Sequence, residues 1–175
     1  MSKLILNNGQ LVLEKWVNKQ ETFKMLSDGS ITLFYNINIL DDSITKLKTE
    51  NVCIYDFDAN NWITLDDFYT DFKTKMNFPD YFGNNLDALN DCLSDFIGQN
   101  IAICIRNYDV FMEKFSYESN ILPRIILTQC WSSLLQESYI LMLIHTKKGN
   151  ISVKDIPLFT PKWNIMEMLN SNHGQ

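Results

Sequence analysis

The apolar positions between residues 51 and 145 fall into blocks of two periods. Val52-Cys53-Ile54-Tyr55 is a short β-type run. Leu65, Phe68, Tyr69, Phe72 and Met76 then recur at i, i+3, i+4, i+7 and i+11, one stripe of a helix. Thr64 can cap that helix, and Asp67 sits where the other half of a capping box belongs. Phe78-Pro79 stops it. Tyr81 to Asn85 reads as a loop. Leu86, Leu89, Leu93 and Phe96 or Ile97 mark the inner face of a second helix, which Gly98 ends. Ile101 to Ile105 is apolar throughout, as in a strand buried on both faces, and Tyr139 to Ile144 repeats that character. A short helix over 109–118 and a longer one over 122–136 separate the two, with Pro123 in the first turn of the longer helix. The order β, α, α, β, α, α, β predicts an α/β domain with a small three-stranded parallel sheet packed with helices.

The flanks carry weaker patterns. Residues 1–50 predict a β-rich extension: a hairpin of Lys3–Leu6 and Leu11–Glu14 around Asn8-Gly9, then a longer strand from Ile31 to Leu40. Residues 146–175 predict a C-terminal extension. It has a turn at Lys147-Lys148-Gly149-Asn150 and a last helix through Leu169, with Thr160 as cap and Pro161 at the first position. Residues 171–175 should fray. The expected division is therefore 1–50, 51–145 and 146–175.

Composition narrows the class. Of 175 residues, 46% are hydrophobic and 21% charged, the balance of a chain with a core rather than a disordered one. The longest apolar run, Tyr139 to Ile144, is far short of the roughly 20 residues a membrane-spanning helix needs. The N-terminus turns polar after Leu6, too early for a secretory signal, so a cytoplasmic protein with no membrane partner is expected. Net charge is −6, but residues 51–100 hold nine Asp, no Glu and two Lys, a net of −7, and the rest of the chain is +1. Such a segment repels nucleic acid and attracts a basic partner or cations. The four cysteines, at 53, 92, 104 and 130, form no CxxC pair, and the two histidines are His145 and His173. No metal or cofactor spacing results, and reduced thiols are expected, with Cys53 and Cys104 packed as small hydrophobes and His145 structural.

The acid is concentrated on the second helix. Asp87, Asp91 and Asp95 are spaced by four, so each successive carboxylate drifts by only about 40° and the three form one outward stripe. Like charges at this spacing destabilise a helix by roughly 0.2–0.5 kcal/mol per pair. Asp87, in the first turn, is favoured by the helix dipole; Asp91 and Asp95 lie deeper. No Lys or Arg occurs between Lys75 and Arg106.

Phe78-Pro79-Asp80-Tyr81-Phe82-Gly83-Asn84-Asn85-Leu86-Asp87-Ala88-Leu89-Asn90-Asp91-Cys92-Leu93 closely resembles the signature of the barstar family. The neighbouring elements over about 51–145 follow the order that family uses. The resemblance implies a barstar-like fold and an intracellular immunity protein, not an enzyme, that blocks a basic ribonuclease or nuclease toxin with its acidic helix and the loop before it. Carried over, Tyr81 would stack on the enzyme, Asn85 would supply the loop contact, and Asp87 and Asp91 would pair with cations of its active site. Asn90 stands where family members often carry Trp. Asp95 adds a charge at the rim, and Trp131-Ser132-Ser133 stands where a further acid is common. The expected partner-binding set is Tyr81, Asn85, Asp87, Asn90, Asp91 and Asp95. Gly83 is read as serving a backbone turn and Cys92 as packing. Two other readings remain beside this one. One is an interaction module of the same fold without a nuclease target. The other is a metal-dependent hydrolase with Asp87, Asp91 and Asp95 around Mg²⁺, for which the sequence offers no base, nucleophile or Gly-rich phosphate loop.

Overall fold

The computed structural model describes residues 4–7, 10–13, 19–148, 161–164 and 166–167. Strands β1 (Leu4–Asn7) and β2 (Gln10–Leu13) pair antiparallel as the expected hairpin, Leu4 opposite Leu13. The remaining strands form one five-stranded, wholly parallel sheet. They are β3 (Ile31–Phe34), β4 (Cys53–Asp58), β5 (Asn100–Arg106), β6 (Tyr139–His145) and β7 (Lys162–Trp163), in the spatial order β4-β5-β6-β3-β7.

The expectation of three strands is thus corrected to five, and the reason lies in β6. All seven of its residues are buried. A strand in that state needs helices on both faces and a paired strand on both edges. β5 supplies one edge and β3 the other, with Ile31 opposite Met142 and Phe34 opposite His145.

The predicted strand from Ile31 to Leu40 is also corrected. It ends at Phe34, and helix α2 (Ile37–Thr49) begins three residues later. The Asn36 side chain accepts from the Asn38 N–H and caps the helix; Leu40, Ile44 and Leu47 face the core. Helix α1 (Gln20–Ser27) lies before β3, so residues 1–50 are not simply β-rich. The expected last helix is corrected too: Lys162 and Trp163 are strand, pairing with Thr32 and Leu33. Thr160, Leu169 and residues 149–150 and 171–175 lie outside the described residues.

Helices α3 (Leu65–Met76), α4 (Leu86–Ser94), α5 (Tyr108–Lys114) and α6 (Ser116–Leu134) cover one face of the sheet. Strand alternation shows which. Phe57 of β4 stacks on Phe72 of α3 at 4.2 Å, and Tyr55 meets Phe96 at 5.8 Å. Asp56, between them, points the other way. Its carboxylate takes a two-pronged bond from Arg106, whose Nη2 also reaches Asp41 of α2 at 2.7 Å. α2 therefore covers the opposite face. α1 packs on α2, where Ser43 donates to Glu21 at 2.8 Å.

Two buried carboxylates fasten the flanks. Glu50 accepts from the N–H groups of Glu21 and Thr22, capping α1 from a distance. Glu167 accepts from the N–H groups of Tyr35 and Asn36 at the β3–α2 junction.

The start of α6 departs from its expected boundary. It begins at Ser116, so Pro123 lies in the helix interior rather than the first turn. Proline has no N–H for the carbonyl four residues back. That carbonyl, of Ser119, accepts instead from the hydroxyl of fully buried Tyr108 at 2.6 Å. Burial pushes the Tyr108 pKa well up, so the group stays a neutral donor. Tyr108→Phe should strand the carbonyl and lower stability by about 1–3 kcal/mol. The check is a urea titration, with the midpoint falling and the m-value unchanged.

Candidate functional site

The acidic helix is positioned by the loop that precedes it. α3 starts on the expected capping box, Thr64 with Asp67, and ends at Asn77 in the left-handed conformation, φ 54°. Phe78 and Phe82 then turn inward, 5.1 Å apart, and Phe82 lies 6.2 Å from Tyr69. Between them Phe82 N–H donates to the Pro79 carbonyl, a tight turn whose tip projects Tyr81. Phe82 is 6% exposed and Tyr81 83%. The loop is tied back to α3 twice: Lys73 Nζ lies 3.6 Å from Asp80, and Asn84 donates to Asp66 at 2.9 Å.

Asn85 is the N-cap of α4. Its Oδ1 accepts from the Ala88 N–H at 2.8 Å and its Nδ2 donates to the Gly83 carbonyl at 3.0 Å. Both ends of the amide thus work inside the protein, fixing where α4 begins. The left-handed turn residue is Asn84, φ 46°, so the expected backbone role of Gly83 is corrected. Gly83 matters for closeness, since a Cβ there would stand 3.1 Å from Asn85 Nδ2.

Along α4, Leu89, Cys92 and Leu93 are buried while Asp87, Asp91 and Asp95 are exposed. Asp95 is the C-cap residue. Among the described residues none of the three carboxylates has an ion-pair partner. The cations nearest in sequence are engaged elsewhere: Lys75 with Asp71 and the Asp56 carbonyl, Arg106 with Asp56 and Asp41. Burial, with Asp95 and Asp91 beside it, pushes the Cys92 thiol up, so it sits inert under the acid stripe. Cys104 and Cys130 are buried, whereas Cys53, at the start of edge strand β4, is exposed rather than packed.

Asn90 faces sideways. It is half-buried, and Gln129 of α6 donates to its Oδ1 at 2.9 Å and to its carbonyl at 3.2 Å. At the far end the Gly98 N–H donates to Ser138 Oγ just beyond α6, so α4 and α6 run side by side in the same direction. Near their N-terminal ends they part into a groove of about 770 Å³, with Asp87 and Leu86 contributed by α4 and Tyr117, Ile121 and Arg124 by α6. These α6 residues escaped the sequence reading; their signal is large side chains recurring on the outer side of a helix. His145 is structural as expected: its Nδ1 accepts from the Asn107 N–H at 3.2 Å, and burial lowers its pKa.

Among the described residues no three His, Cys, Asp or Glu side chains gather closely enough to hold a metal ion, so the hydrolase reading gains no ligand set. Nor is any described helix long and apolar enough to cross a membrane.

With the geometry described, comparison with known proteins becomes specific. Residues 53–128, from β4 into α6, match the family model described as Barstar (barnase inhibitor). Over 67 residues the chain is 34% identical to the Bacillus subtilis (strain 168) protein named "Putative ribonuclease inhibitor YrdF", covering 37% of this chain and 72% of that one. The chain belongs to the barstar family. The barstar match contains the loop, α4 and its acid stripe, and ends before Trp131. β3, β6 and β7, which complete the sheet, lie outside it.

The cap is the point at which this barstar-family face can be tested locally. Asn85→Ala should cost about 1 kcal/mol of stability, because it removes the bond to the Ala88 N–H. A thermal melt reads the loss. Asn85→Ser, which can still cap, should recover most of it.

Proposed function

We propose that this chain is a ribonuclease inhibitor that covers the cationic active-site cleft of a basic ribonuclease with the outer face of α4 and the tip of the preceding loop. The observation that carries the reading is the row of three exposed carboxylates, Asp87, Asp91 and Asp95, among the described residues without a cation of the protein's own. A helix carrying that repulsion on one face gains when an external cation arrives. The relative named as a ribonuclease inhibitor and the barstar match over this segment support the same direction. Asp87 and Asp91 stand in for substrate phosphates and pair with the enzyme's Arg and Lys. Tyr81 offers a projecting ring for stacking. Asn85 acts as a positioning residue through the cap. Asn90, turned toward Gln129, borders the contact, and Asp95 lies at its rim. The protein performs no chemistry in this role; it excludes RNA from the enzyme.

The test is inhibition of RNA cleavage by two enzymes: barnase, and a second basic ribonuclease. Stoichiometric inhibition of one of them is expected, with an association rate that falls steeply as salt screens the attraction over about 10 Å at 0.1 M. Inhibition of neither would overturn the reading.

Asp91 separates binding from folding. It sits mid-helix, exposed, with little help from the dipole. Asp91→Ala should therefore leave the melting temperature unchanged or slightly raised, Ala being the better helix former. In the complex it leaves a desolvated cation unpaired, and truncations of this kind cost roughly 2 kcal/mol or more, so binding should weaken at least tenfold. Asp95→Ala should do much less. Wild-type binding by Asp91→Ala would remove the acidic-helix mechanism.

A further inference from the structure

We propose that the cavity between α1 and α2, on the face of the sheet away from the acid stripe, is a binding site for a free α-amino acid with a short apolar side chain. The inference stands apart from the inhibitor reading, because no residue of α4 or of the loop before it takes part.

Two helix stripes build the walls. Glu21, Lys24 and Met25 come from α1 at i, i+3 and i+4, and Ile39, Ser43 and Lys46 from α2 at i, i+4 and i+7. Residues at these spacings share one side of a helix. A side turned toward another helix is ordinarily apolar. Here it is mostly polar, and the helices leave about 320 Å³ between them. Thr32 of β3 lines the cavity from the sheet, and Asn164 and Met166 border it from the segment that follows β7. The volume lies at the small end of ligand pockets, which run about 300–1,000 Å³, so it suits a molecule of amino-acid size.

The buried polar groups define the inner end of the ligand. Glu21, Thr32, Ser43 and Asn164 are each more than nine-tenths buried. Among the described residues the Thr32 hydroxyl has no hydrogen-bond partner, an uncommon state for a buried polar atom. Glu21 Oε1 accepts from Ser43 at 2.8 Å, while Oε2 has the exposed Lys24 ammonium no nearer than 3.9 Å. A carboxylate is costly to bury unless it is closely paired. A ligand ammonium seated between Glu21 and Thr32 gives the carboxylate a near cation and the hydroxyl a donor.

The outer end follows from the mouth. Lys24 and Lys46 are exposed there and can receive the carboxylate of the same ligand, while Met25, Ile39 and Met166 offer apolar surface to its side chain. Two further acids lie at the mouth: Asp28, bonded to Lys162 at 3.0 Å, and Asp42, which faces water. A simple amine would leave the two lysines without an anion, and a simple carboxylate would meet Glu21. The zwitterion satisfies both ends.

The test is calorimetric titration of the full chain with L-leucine and L-methionine, beside isopentylamine and isocaproate, which are leucine without its carboxylate and without its amine. Saturable binding of at least one amino acid is expected, with a melting temperature that rises with its concentration, and with neither analogue binding comparably. Thr32→Val removes the unpaired hydroxyl and keeps a β-branched strand residue, so its melting temperature should hold or rise. Its affinity for the amino acid should nevertheless fall about tenfold, and Thr32→Ser should restore it. Glu21→Gln, which can still accept from Ser43, should weaken binding at least as much. If neither amino acid binds the folded parent, the cavity holds water alone and the proposal is overturned. It is equally overturned if isopentylamine binds as tightly as leucine, or if Thr32→Val and Glu21→Gln bind like the parent.

Discussion

A parallel strand buried at every one of its seven residues has to be enclosed on four sides, and β6 imposes that demand on the whole chain. Its faces require helices above and below, which α2 and the α3–α6 layer supply. Its edges require β5 and β3. β3 brings α1 and α2 with it, and β7 then lies on the outer edge of β3. The flanking segments, which look detachable in sequence, are thus the means by which the centre of the sheet is kept dry. The two buried carboxylates, Glu50 and Glu167, satisfy backbone groups at the points where these segments join.

The same enclosure frees α4 to carry charge. Leu89 and Leu93 anchor the inner side, and burying each contributes about 1.5–3 kcal/mol. The Asn85 cap adds about 1 kcal/mol. Against these, two like-charge pairs cost roughly 0.2–0.5 kcal/mol each. The helix therefore persists comfortably with its acids unneutralised. The cations nearest in sequence are drawn to other carboxylates, Arg106 to the far face of the sheet, Lys73 to Asp80 in the loop and Lys75 to Asp71 within α3.

Much of this was legible from local pattern. The capping box at Thr64, the stripe Leu65–Met76, the inward Leu89 and Leu93 and the two apolar strands all express periodicities that a single segment enforces on itself. What was not legible depended on distant partners. The four-residue strand β3 gains its identity from β6, more than a hundred positions away, and without that pairing Ile31 to Leu40 reads as one run. Pro123 looks like a helix start because Tyr108, which replaces its missing bond, lies in another helix. Asn90 reads as a surface residue until Gln129 is seen beside it. The groove-lining side chains of α6, Tyr117, Ile121 and Arg124, escaped for a related reason: exposure on a helix is set by what else packs there.

The pairing of β3 with β6 also orders events in time. Residues 31–34 leave the ribosome long before residues 139–145, so β3 must wait as an unpaired edge while β4, β5 and the helices between them are made. The loop closed by that pairing is the long-range step of the fold, and such steps bear an entropic cost before any contact rewards them. The acid-bearing layer, by contrast, comes from contiguous chain and can form first. Folding thus runs from the acid-bearing layer toward the strands that seal the sheet, and the waiting edge of β3 is the point at which a nascent chain is most open to mispairing.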